Sequence, residues 1–140
     1  MRYAYPADIE DNEAGGLVVS FPDVPEPITE GDTREEALTE ASDALAVAMG
    51  GYVEARRAIP LPSAPRWGQA LVALPTLTAA KLALYGAMRE QGMTHVALAQ
   101  RLQVSETVVR RLVHPDHASR IERVEQALTM LSKHLVVEAD

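Results

Sequence analysis

The chain has few side chains able to do chemistry. It contains no cysteine and four histidines, which excludes thiolate catalysis, disulfides and Cys-ligated zinc. Two of those histidines fall in His114-Pro115-Asp116-His117, a spacing that in isolation resembles a metal-binding pair. A metal site needs about three protein ligands. The neighbouring sequence offers no third, so the segment reads as an exposed turn after a helix, with no metal and no cofactor expected. Asp8, Glu10, Asp23 and Asp32 are the carboxylates that two-metal phosphoryl hydrolysis would need, but nothing places them together. There is no Gly-rich phosphate loop and no nucleophile motif. Tyr3, Tyr5 and Tyr52 read as core rather than as a platform for stacking bases. The expectation is a protein that binds, with no catalytic residue.

Binding chemistry is concentrated between Thr94 and His114. Leu98, Leu102, Val104, Val109 and Leu112 recur where two short helices crossing at a steep angle share a core, and Ala99 is small where they approach. Ser105 can cap the second helix. His95 to His114 therefore resembles a helix-turn-helix of the Cro/phage-repressor type, with Gln103 where that motif usually has Gly at the turn. The resemblance implies that the second helix enters a major groove of DNA with Ser105, Glu106, Thr107, Arg110, Arg111 and His114 on its outer face. Arg pairs with guanine edges, Thr meets a thymine methyl group, and Glu accepts from cytosine. Thr94, His95 and Arg101 then stand nearer the phosphates. His95 to His134 holds six basic and four acidic residues, a small surplus, so a dimer spanning half-sites about 34 Å apart is required.

The elements around this segment follow from periodicity. Leu77, Ala80, Leu84 and Met88 mark a helix ending at Gly92, Thr94 caps the next, and Pro115 follows the helix that Ser105 caps. Ser119 and Glu122 have capping-box spacing for a last helix with the stripe Ile121, Val124, Leu128 and Leu131. The first half reads differently. Tyr3, Tyr5, Ala7 and Ile9 alternate as one face of a strand, and Pro6 makes it an edge strand or a strand end. Leu17, Val19 and Phe21 form the inward face of its hairpin partner, and Ile28-Thr29-Glu30 a short third strand after the kinked Pro22–Pro27. Thr33 and Glu36 open a helix facing inward through Leu38, Ala41, Leu45, Ala48 and Tyr52, with fraying or a kink at Gly50-Gly51. The Pro-rich stretch 59–65 is a loop leading to a strand over Ala70 to Leu74. The fold class is α+β, β-β-β-α-β followed by an all-α part, with domains 1–75 and 76–140.

At 140 residues, 47% apolar and 24% charged, the chain suits ordinary folded domains. No apolar run spans a membrane, and Met1–Pro6 lacks a signal-peptide core, so the expected location is the cytoplasm. The net charge of −7 argues against nucleic acid as a partner. The charge is unevenly distributed. Met1 to Gly68 carries 5 basic and 13 acidic residues, or −8, and Gln69 to Asp140 carries 8 and 7, or +1. The acidity belongs to the half without the helix-turn-helix.

In that half, the Ser20-Phe21-Pro22-Asp23 run and Glu30-Gly31-Asp32-Thr33, continuing through Glu35-Glu36-Ala37-Leu38, are similar to the HicB antitoxin family from Met1 to about Leu74. An appended helix-turn-helix suits one subgroup. Glu26-Pro27 departs from the family's Gly and small residue. The resemblance implies a partial RNase-H-like domain that binds a HicA toxin, a small basic ribonuclease with a catalytic His. Its acidic surface would steer that partner and occlude its RNA surface. Phe21, Pro22, Asp23 and Val24, with Glu30 and Asp32, are the candidate contacts. The implied function is an antitoxin that also represses its own operon as a homodimer, with a second contact at the Pro6 edge giving a tetramer. The alternative is a stand-alone repressor whose first domain senses a small ligand.

Overall fold

The alternating residues of the first half form a four-stranded antiparallel sheet in the computed structural model, which describes residues 1–140. Strands β1 (Ala4–Asp11), β2 (Leu17–Phe21), β3 (Val24–Gly31) and β4 (Ala70–Ala73) lie in the order β3-β2-β1-β4. Tyr5, Ala7, Val19, Phe21, Val24 and Val72 are buried. Helix α1 (Arg34–Glu54) packs against the sheet through Ala37, Ala41, Leu45 and Met49. It begins where Thr33 Oγ1 accepts the amide of Glu36 at 3.1 Å.

Three local expectations are corrected. β1 is internal in the sheet, not the edge strand that Pro6 implies. Its length is divided, however: Ala4–Ala7 pairs with β4 and Asp8–Asp11 with β2. Tyr3 accepts from the amide of Leu74, so by alternation the nitrogen of Pro6 faces away from β4, where no strand pairs with it. β3 runs from Val24 rather than Ile28, because an edge strand tolerates Pro25 and Pro27. Helix α1 continues unbroken through Gly50-Gly51. Gly50 is buried, and a Cβ there would stand 3.3 Å from Asp116 Oδ2, so the glycine admits a close neighbour instead of fraying the helix.

The stretch from 56 to 69 has neither helix nor strand but is tied down. Tyr5 Oη donates to Pro60 O at 2.7 Å, and Tyr85 Oη to Arg57 O at 2.6 Å. Burial pushes the pKa of the Tyr5 hydroxyl up, keeping it a donor. Four helices follow: α2 (Thr76–Gln91), α3 (His95–Leu102), α4 (Glu106–Val113) and α5 (Ile121–Met130). Gly92 ends α2 in the left-handed conformation at φ 63°. One hydrophobic cluster runs through the sheet, α1 and all four helices. None of the helices is long and apolar enough to cross a membrane.

A fourth correction reveals what organises the helical half. Ser119 does not cap α5; Arg120 occupies that position without a side-chain bond. The Ser119 hydroxyl instead accepts from Lys81 Nζ at 2.9 Å. Lys81 is completely buried on α2, and its ammonium also donates to the carbonyls of Arg111 at 2.7 Å, His114 at 3.0 Å and His117 at 2.6 Å. A cation thus sits at the negative end of α4, where it satisfies the Arg111 carbonyl that the helix leaves free together with two carbonyls of the turn that follows. Burial pushes its pKa down to about 8, which leaves it charged at neutral pH. Lys81→Met should strand the Arg111 and His117 carbonyls and lower unfolding free energy by about 3 kcal/mol. Urea denaturation followed by circular dichroism measures this; Trp67 fluorescence is a poor probe because that side chain is fully exposed in the fold.

Candidate nucleic-acid interface

The two short helices that the sequence pairs are formed and capped as their residues dictate. Thr94 Oγ1 accepts the amide of Ala97 at 3.0 Å, and Ser105 Oγ that of Val108 at 3.2 Å. Between them Gln103 adopts φ 56° and ψ 47°, the left-handed conformation expected at the turn. Leu98, Ala99, Val109, Leu112 and Val113 are buried, so the helices share a core; Leu102 and Val104 are partly buried beside it.

The outer face of α4 is correspondingly polar. Glu106, Thr107, Arg110 and Arg111 are exposed, as is Ser105 at its start. Arg110 Nη2 lies 2.8 Å from Glu106 Oε1, one helical turn away. Arg101 is exposed but bonds the carbonyl of Met130 at 3.2 Å, so part of its hydrogen-bonding capacity closes the end of α5. His114 is placed differently from the rest. Its side chain is only 14% exposed, and its Nε2 lies 2.8 Å from Glu54 Oε1 on α1. It stands at the junction of the two halves rather than among the free side chains of α4.

Thr94, His95, Glu106, Arg110 and His114 come together along one side of a cleft of about 560 Å³, whose other walls include Glu54 at the end of α1, Arg56 just beyond it and Arg89 of α2. The cations have an effect. Burial first, and then the guanidinium of Arg110, push the His95 pKa below 6.5; Glu106 opposes this and Arg56 adds to it. Glu54, Arg56 and Arg89 carry no local sequence signal for this cleft. They reach it only because α1 and α2 pack together.

The candidate contacts of the first half divide by burial. Phe21 and Val24 are core residues, 3% and 0% exposed, so their side chains serve the packing of the sheet in this fold. Pro22, Glu30 and Asp32 are exposed and Asp23 is half-buried. The Asp23 carboxylate accepts both the amide and the hydroxyl of Ser63, at 2.8 and 2.9 Å.

Comparison with known proteins gives a consistent picture. The family model described as "HicB_like antitoxin of bacterial toxin-antitoxin system" matches residues 4–83, the whole sheet, α1 and the first half of α2. Antitoxin HicB 2 of Photorhabdus laumondii is 42% identical over 96% of this chain and 95% of its own length. Antitoxin HicB of Pseudomonas fluorescens is 38% identical over 100% of this chain and 96% of its own. Antitoxin HicB of Escherichia coli is 35% identical over 94% and 95%. The similarity therefore runs through both halves.

The cleft has a measurable electrostatic signature. In an NMR titration the His95 ring should have a midpoint below 6.5, rising in Arg110→Ala and falling further in Glu106→Gln. A histidine with a depressed folded pKa contributes stability that is present above 6.5 and lost as pH falls through the folded value. His95→Gln should remove that part of the acid sensitivity.

Proposed function

Because the chain belongs to the HicB-like antitoxin family, we propose that it neutralises a HicA-like, mRNA-cleaving ribonuclease toxin and represses its own operon. In this reading residues 1–75 bind the toxin, and residues 76–140 bind operator DNA and dimerise. The protein acts by occlusion and by binding, with no catalytic role of its own.

The observation that carries the DNA-binding part is the division of α4. Val109, Leu112 and Val113 are buried while Thr107, Arg110 and Arg111 face outward from a Ser-capped start. Such a helix presents two guanidinium groups and a methyl-bearing hydroxyl to a groove. Thr94 at the cap of α3, with His95 and Arg101 on that helix, supplies the phosphate-side contacts in this reading. Exposed Met130, Val136 and Val137 beyond the core support self-association through the C-terminal segment.

For the toxin-binding part the support is charge and exposure. The −8 half turns Pro22, Glu30 and Asp32 to solvent, and a basic partner is attracted to such a surface before it docks. A second reading, a repressor responsive to a small anion, is favoured by the cleft that Arg56, Arg89 and Arg110 line. The two are separated by co-expression with the product of the neighbouring reading frame, which the antitoxin reading expects to be a short basic protein: relief of growth arrest supports the antitoxin, and persistent arrest removes it.

The doubly substituted Arg110→Ala, Arg111→Ala chain should lose specific operator binding by about 100-fold or more in a gel-shift series against salt. It should still relieve toxin-induced arrest. Operator affinity equal to that of the unaltered chain would overturn the DNA reading. Loss of both activities would mean that the helical half also supports the toxin site.

A further inference from the structure

Of the stretch His114-Pro115-Asp116-His117, only His114 and Asp116 bring their donors together, and the fold supplies a third from a segment 60 residues away. Glu54, at the end of α1, His114 and Asp116 each present a ligand atom within 4.8 Å of the other two. His114 Nε2 lies 2.8 Å from Glu54 Oε1, and Nδ1 lies 3.9 Å from Asp116 Oδ2. We infer that Glu54, His114 and Asp116 form a binding site for one divalent transition-metal ion, completed by water. This inference depends on neither the toxin-binding nor the DNA-binding reading.

The arrangement is more than a patch of acids. The imidazole is fixed, its side chain 14% exposed, while the flanking carboxylates are 68% and 57% exposed and free to close around an ion. The loop backbone is held from below, since Lys81 bonds the carbonyls of His114 and His117. The Asp116 carboxylate lies against Gly50, where a Cβ would stand 3.3 Å from Oδ2. Gly50 is thus the residue type that leaves room for it.

The donor set selects the ion. One imidazole nitrogen with two carboxylates suits zinc, nickel or cobalt, whereas calcium and magnesium take all-oxygen shells. Without metal, the Asp116 amide donates to Nδ1 at 3.1 Å, which leaves the ring proton on Nε2, directed at Glu54. Binding an ion at Nε2 requires the ring proton to leave that nitrogen for Nδ1, which breaks the hydrogen bond from the Asp116 amide and frees the loop to turn the Asp116 carboxylate toward the metal. Bonds of about 2.0–2.2 Å then draw the three donors together. The ion would clamp the end of α1 to the loop between α4 and α5, joining the acidic half to the helical one.

The test uses the full, metal-stripped chain without a histidine tag, titrated with zinc chloride by calorimetry and with cobalt(II) by visible absorption. One saturable equivalent is expected, with a rise in the thermal midpoint. Glu54→Gln and Asp116→Asn should each weaken zinc binding at least about tenfold, and His114→Gln should abolish it. Gly50→Ala should weaken it by crowding Asp116, whereas His134→Gln should leave it unchanged. Because Glu54 is exposed, its variant decides the matter even if His114→Gln does not fold. Absence of saturable one-to-one uptake would overturn the site. So would uptake undiminished in Glu54→Gln and Asp116→Asn, or uptake lost in His134→Gln.

Discussion

A single buried ammonium determines where the outward helix points. Lys81 comes from α2, yet all four of its acceptors lie in the segment from Arg111 to Ser119. A charge without solvent is tolerated only when surrounded by partners, and here they are one carbonyl of the last turn of α4, two carbonyls of the loop after it and the Ser119 hydroxyl. The chain after α4 therefore wraps around one point, and α5 begins only after Arg120. This wrapping fixes the direction of α4, the inward placement of His114 and the approach of Asp116 to α1. It also explains why Ser119 gives up helix capping. Four oxygens around one cation outweigh one neutral cap of typically about 1 kcal/mol.

The two halves are consequently joined by specific contacts rather than by a free linker. Besides the pairing of Glu54 with His114 and of Gly50 with Asp116, Tyr85 and Arg89 of α2 donate to the carbonyls of Arg57 and Arg56 just beyond α1. Arg56 adopts φ 56°, an uncommon conformation for a residue with a side chain, and its carbonyl accepts the Arg89 bond at 2.8 Å. The Arg57 guanidinium lies 4.5 Å from the centre of the Tyr52 ring, whose hydroxyl donates to Glu26 at 2.6 Å. A chain of polar contacts thus links β3, the end of α1 and α2. Part of the positive charge of the acidic half is held at this junction, away from Glu30 and Asp32.

The sequence was most legible where a rule acts within a few residues. Thr33, Thr94 and Ser105 cap the helices they precede, Gln103 takes the left-handed turn, and Gly92 ends α2, because each of these is a local bargain between a side chain and its own backbone. Reading failed where a distant partner decides. Pro6 obeys its local restriction, yet its strand is internal because β4 arrives from some 65 residues later and covers only half of β1. Gly50 reads as a helix breaker until Asp116 is seen beside it. Lys81 sits among the apolar residues of α2 with no pattern announcing its burial, and Phe21 and Val24 lie in the best-matching motif because the motif is also core. Family-like residues in that stretch preserve the hairpin as much as any surface. The outer face of α4 was readable because the apolar stripe that buries one side leaves the other exposed.

On the proposed reading, the charge distribution bears on how the two activities interact. Arg110 already pairs with Glu106, but an exposed pair of this kind is worth only about 0.3–0.5 kcal/mol, so exchanging it for a base or phosphate costs little. The larger obstacle is the −8 half in the same molecule, because its field opposes the phosphate backbone over roughly a Debye length. A helical half of +1 cannot offset that by itself. Pairing two protomers doubles the reading helices but also doubles the acidic burden. A basic partner bound to the acidic surface removes that repulsion without touching α4. Electrostatics alone therefore pushes toward tighter operator binding by the complex than by the free antitoxin, and the rigid junction at Glu54, His114 and Lys81 keeps the two charged regions in a fixed relation while it does so.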